Sequence, residues 1–133
     1  MKIFLDDVRE PEKHLLEVAN RRGDDWLLSG EWVTCRTASE AIKLIEDGIT
    51  DPVRRVTHVS FDHDLGPLEA GTGYDVAVWC EERVHREDLP RILWNVHSCN
   101  PIGAAKIRAA MTNADVVWHF QEKDRMIREL RAT

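Results

Sequence analysis

Three short apolar runs each end in side chains able to do acid–base or phosphate chemistry. Ile3-Phe4-Leu5 runs into Asp6-Asp7-Val8-Arg9. Val59-Ser60-Phe61 runs into Asp62-His63-Asp64-Leu65-Gly66, and Leu93-Trp94-Asn95-Val96 into His97-Ser98-Cys99-Asn100-Pro101. Crowded carboxylates repel one another unless a proton or a divalent cation offsets the charge. The oxygen-rich set Asp6, Asp7 and Asp62 suits Mg²⁺ or Mn²⁺. Two histidines, His63 and His97, could share the base and acid roles on one phosphate, and Asp64 is counted with them. In an extended segment Asp62 and Asp64 point to one side and His63 to the other. All three act together only if the chain turns there. The Ser98 hydroxyl could contact a phosphate oxygen, and Asn100-Pro101 starts a helix whose free N–H groups attract anions. Arg9 could clamp an oxyanion bidentately or simply pair with a carboxylate. The plainer alternative is that Asp6-Asp7 cap a strand and that each histidine is packed or solvated.

These residues need elements to position them. Lys2–Leu5 is too short for a helix and reads as a buried strand. A helix is expected over 11–21 and a loop over 21–30. Strands follow at 31–36, 57–61 and 91–96. Thr37-Ala-Ser-Glu40 is a capping-box pattern opening a helix that Gly48 is placed to end. Val76, Ala77, Cys80 and Val84 share a second helical face; Ala104, Ile107 and Met111 mark a third. Residues 114–120 are expected to form a fifth strand, with Phe120, Ile127 and Leu130 in a terminal helix. Alternating strands and helices point to one α/β domain over residues 1–133, with a mostly parallel sheet of four to five strands and helices on both faces. In such sheets ligands bind at the carboxyl ends of the strands, so all three clusters would meet at one rim.

Composition narrows the classes. The 133 residues carry 24 acidic and 18 basic side chains, a formal charge of −6, which argues against charge-driven binding along a duplex. No run of about 20 apolar residues is present to span a membrane. Three cysteines without C-x-x-C spacing argue against a disulfide framework or structural zinc. A cytoplasmic setting is the default. Cys35 and Cys80 read as packing residues, and Cys99 has no adjacent base.

Leu5-Asp6-Asp7-Val8-Arg9, the segment Ser60 to Gly66, Thr72-Gly73-Tyr74-Asp75 and the segment Val96 to Pro101 resemble, in order, the motifs of the cyclic-phosphate processing receiver-like domains. These are small bacterial and phage proteins proposed to act on RNA ends carrying 2′,3′-cyclic phosphates. The resemblance runs to about Met111. The segment Glu10 to Gly30 is longer than the pattern, and the tail after Asn113 lies outside it. The resemblance implies a receiver-like (flavodoxin-like) doubly wound sheet of order 2-1-3-4-5. A signalling receiver has an acidic pair after strand one, a phosphoacceptor Asp after strand three, Ser or Thr after strand four and Lys after strand five. Asp6-Asp7, Asp62 and Ser98 stand at similar places. No Lys ends the expected fifth strand at Val116-Val117-Trp118-His119, and two histidines are added.

The resulting expectation is a metal-assisted phosphoesterase for 2′,3′-cyclic phosphate ends of RNA, or for a small cyclic-phosphate substrate. Asp6, Asp7 and Asp62 would hold the cation; His63, His97 and Asp64 would be catalytic; Arg9, Ser98 and Asn100 would bind substrate. The alternatives are a signalling module phosphorylated on Asp62 and a catalytically inert phage or host interaction protein.

Overall fold

The computed structural model describes residues 1–11, 31–86 and 88–133. The helix expected over 11–21, apart from Pro11, and the loop expected over 21–30 therefore lie outside the described residues. Four strands, β1 (Lys2–Leu5), β2 (Trp32–Cys35), β3 (His58–Phe61) and β4 (Leu93–Val96), form one sheet. Its order is β2-β1-β3-β4 and every pairing is parallel. The strands alternate with helices α1 (Ala38–Ile49), α2 (Gly73–His85) and α3 (Pro101–Ala132).

Register decides which side chains meet. Leu5 lies opposite Cys35 and Phe61, and Phe61 opposite Val96. With side chains alternating along each strand, Ile3, Leu5, Val59, Phe61 and Val96 face one way. They share a core with Ala41 and Ile45 of α1, Val76 and Cys80 of α2, and Ile107 and Met111 of α3. The opposite face carries Phe4, Ser60 and Asn95, all buried. This second face is what builds the site below.

Local chemistry starts each helix. Thr37 accepts from the Glu40 N–H at 3.2 Å, opening α1. That helix runs one residue past Gly48, which is kept side-chain-free by the backbone of Arg54 and Arg55 packed against it. Thr72 and Asp75 form a reciprocal capping box on α2. Asn100 Oδ1 accepts from Gly103 N–H at 3.0 Å, and Pro101 takes the first position of α3, where its missing N–H costs nothing.

The expected fifth strand is corrected by α3. Residues 114–120 continue the helix that starts at Pro101. Ala104, Ile107, Met111, Ala114 and Trp118 recur every three or four residues and are all buried. That spacing, with no Gly or Pro after Gly103, outweighs the β-branched pair Val116-Val117. Trp118 Nε1 donates to the Leu89 carbonyl at 2.9 Å and Gln121 Nε2 to the Val84 carbonyl at 2.9 Å, which ties α3 to α2 and the segment after it. No helix among the described residues is long and apolar enough to cross a membrane.

Candidate active site

The parallel ladder continues one bond past the strand ends. Asp6 N donates to the Cys35 carbonyl, Asp62 N to the Leu5 carbonyl and His97 N to the Phe61 carbonyl, at 3.1, 2.9 and 2.8 Å. Asp6, Asp62 and His97 are thus in register, each one step beyond an apolar residue. Alternation turns all three onto the face of Phe4, Ser60 and Asn95. They bring one ligand-type atom each to within 4.8 Å of one another.

His97 is fixed from every side. Its ring stacks on Phe4 with centroids 4.4 Å apart and planes within 4°. Asn95 Nδ2 donates to Ser60 Oγ at 2.9 Å, which leaves the Ser60 hydroxyl proton for His97 Nδ1 at 2.7 Å. The imidazole proton then sits on Nε2 and is donated to Asp6 Oδ2 at 2.9 Å. Both side chains of this pair are fully enclosed. Asn95 Oδ1 is buried without a partner among the described residues.

Burial works to raise the Asp6 carboxyl. The bond from His97 and the backbone N–H groups of Arg9 and Val8, at 2.7 and 2.9 Å, outweigh it and hold the group well below the ordinary carboxylate range. Asp62 moves the other way. Burial and the adjacent Asp6 charge raise it, against the pull of His97, a hydrogen bond from Ser98 and the His63 N–H. The two carboxylates are therefore unlike: Asp6 is a fixed anion and Asp62 holds a proton more readily.

After Asp62 the chain turns, so His63 and Asp64 end on the same side. His63 Nδ1 and Asp64 Oδ1 lie 2.9 Å apart, and Asn100 Nδ2 donates to Asp64 Oδ2 at 3.3 Å. The bond with His63 lowers the Asp64 carboxyl, burial partly opposes it, and the bond from Asn100 adds to the lowering. The His63 ring lies against Gly103 in the first turn of α3, where any Cβ would overlap it. The side chains are 17% exposed for His63 and 66% for Asp64. His63 Nε2 has no hydrogen-bond partner among the described residues.

The remaining expected residues divide. Arg9 Nη1 donates to the His97 carbonyl at 3.2 Å and Nη2 to Cys99 Sγ at 2.8 Å, so it straps the β1 end to the β4 end. Ser98 Oγ accepts from the Asn100 N–H at 3.1 Å and lies beside Asp62. Asp7 does not join Asp6 and Asp62. Alternation sends it to an open groove shared with Val8, Arg36 and Leu65. His58 and His85 bond locally, to Thr57 and to the Glu81 carbonyl.

Four supporting residues were not singled out from sequence. Ser60 and Asn95 orient His97, Gly103 seats His63, and Arg36 Nη1 holds the loop after β1 through the Asp6 and Arg9 carbonyls at 3.1 and 3.0 Å. Their signal was positional: Ser60 and Asn95 are polar residues at buried sites inside apolar strands.

The donor set Asp6, Asp62 and His97 fits a divalent ion with mixed oxygen and nitrogen preference, such as Mn²⁺, better than Mg²⁺. An ion using His97 Nε2 would replace the proton now shared with Asp6.

The parallel sheet order, the acidic residues after β1 and β3 and the serine after β4 define a receiver-like α/β fold. The family model of the cyclic-phosphate processing receiver domain matches residues 1–113, and the chain belongs to that family. No curated protein and no solved structure matches the chain significantly.

Proposed function

We propose that this rim opens a 2′,3′-cyclic phosphate at the end of an RNA or on a small nucleotide. The observation that supports it is His63: held by Asp64 through Nδ1, seated at the start of α3 beside Asp62, with Nε2 unpartnered among the described residues. A histidine oriented by a carboxylate presents its other nitrogen as a base. His63 takes a proton from water as its oxygen attacks phosphorus. One ring P–O bond breaks, and Asp62, raised by burial and by the Asp6 charge beside it, returns a proton to the departing ribose oxygen. The start of α3, with Ser98 and Asn100, attracts the phosphate oxygens. His97 acts from behind, as a positioning residue that holds the Asp6 carboxylate in place beside Asp62.

A metal-assisted variant has its own support in the convergence of Asp6, Asp62 and His97. A cation there would neutralise phosphate charge and lower the pKa of bound water.

The test is an oligonucleotide with a 2′,3′-cyclic phosphate, incubated with the protein and Mg²⁺, Mn²⁺ or chelator. Ring opening to a monophosphate is the expected result. An end that stays cyclic under every condition removes the activity. Equal rates in chelator remove the metal and leave the acid–base reading.

A further inference from the structure

The groove that receives Asp7 has a volume of about 590 Å³, within the range of small-molecule sites. It runs along the same edge of the sheet as the cluster, past the ends of β2, β1 and β3. Adjacent strands are about 4.8 Å apart. The ends of β1 and β3 are neighbours in the sheet, so a nucleotide whose phosphate lies by His63, after β3, can extend its base toward this groove. The walls suit a flat ring: Val8, Leu65, Pro67 and Ala70 supply apolar surface, and Gly66, at φ +94°, leaves the space beside Asp7 free of a side chain.

The polar groups of the groove are one-sided. Arg36, the cation of the wall, is spent on the Asp6 and Arg9 carbonyls and on Glu10 at 2.9 Å. The Asp7 carboxylate is half-buried and has no hydrogen-bond partner among the described residues. Glu69 adds a second, exposed acceptor. Such a wall repels a phosphate and calls for a neutral ligand rich in donors. One carboxylate among apolar residues is a poor cation site, since Mg²⁺ and Ca²⁺ need several oxygen ligands.

We infer that this groove binds the guanine base of the terminal nucleotide, with Asp7 accepting from its N1–H and exocyclic amino group. These two donors are adjacent and parallel, matching the fork of a carboxylate. Adenine, cytosine and uracil each set an acceptor next to the donor on the same edge, and Asp7 would face that lone pair. The inference rests on the proposed function for the phosphate position, so the experiment reads binding separately from turnover.

The test measures calorimetric binding of the four nucleoside 3′-monophosphates to the full chain and to Asp7→Asn. Turnover of the four nucleoside 2′,3′-cyclic phosphates is followed in parallel. The expected result is about tenfold tighter binding of the guanosine nucleotide, falling to the level of the others in Asp7→Asn. Equal binding of all four, a preference that survives Asp7→Asn, or an equal loss for all four nucleotides in the variant overturns the inference. Absence of turnover with a guanine preference retained contradicts the hydrolytic reading and not the base site. Because Asp7→Asn is isosteric and half-exposed, an unchanged melting temperature is expected; Glu69→Gln serves as a second variant, with a smaller loss of the same preference.

Discussion

The rim holds two histidine–aspartate pairs of the same length and opposite character. His97 and Asp6 lie 2.9 Å apart with both side chains enclosed; His63 and Asp64 lie 2.9 Å apart with Asp64 mostly in solvent. In the enclosed pair both imidazole nitrogens are engaged and the ring is stacked on Phe4. In the open pair Nδ1 is bonded and Nε2 has no partner among the described residues. A hydrogen bond of one length thus serves two purposes, set by burial. Inside, it makes a rigid charge arrangement whose loss is a stability event. Outside, it orients the histidine that the proposed reaction uses as its base.

Substitutions can break that contrast. The largest effect is expected for His97→Ala, which strands the Asp6 carboxylate without its partner and empties the space beside Phe4. Breaking a buried pair costs about 3–5 kcal/mol, read as a fall in denaturation midpoint. His63→Ala should change stability by less than about 1 kcal/mol and lower ring opening by about a hundredfold or more. If the two variants exchanged these behaviours, the contrast would be wrong.

Smaller effects sharpen it. Ser60→Ala removes the partner of His97 Nδ1 and is expected to cost about 1–3 kcal/mol in urea denaturation, with its largest effect on the enclosed pair. Gly103→Ala pushes the His63 ring from its seat. It should cut turnover about tenfold while leaving the His97 side intact, as seen in unchanged near-ultraviolet spectra.

The carboxylates give opposite pH signatures. Asp6 is depressed, so its contribution is present above the unfolded carboxylate value and lost as pH falls toward its folded value. Asp62 is raised, so it weakens the fold as pH climbs through its folded value, and the penalty persists above it. Asp62→Asn should therefore remove that penalty above the folded value and lose turnover. Thermal melts from pH 3 to 8 check both signs.

Much of this was legible in the sequence because strands and sites obey simple periods. The polar residues after Leu5, Phe61 and Val96 marked the rim, and Asn100-Pro101 marked the start of α3. What the sequence could not separate was the two faces of each polar cluster. Asp6 and Asp7 read as one acidic pair, yet alternation sends one to His97 and the other to the groove. Asp64 reaches His63 only because the chain turns after Asp62, a tertiary fact. Ser60 and Asn95 looked like interruptions of apolar strands and are the partners of a buried histidine. Residues 114–120 favour a strand locally through Val116-Val117, but the spacing that joins Met111, Ala114 and Trp118 makes them helix.

The most direct measurement is the single-turnover rate of opening of a 2′,3′-cyclic phosphate-terminated oligonucleotide by the native chain and by His63→Ala, both with melting temperatures recorded. The expected result is opening by the native chain and a rate at least about a hundredfold lower for a folded His63→Ala. An unopened end with the native chain, or a His63→Ala protein that works at the native rate, contradicts the assignment of the chemistry to the open pair.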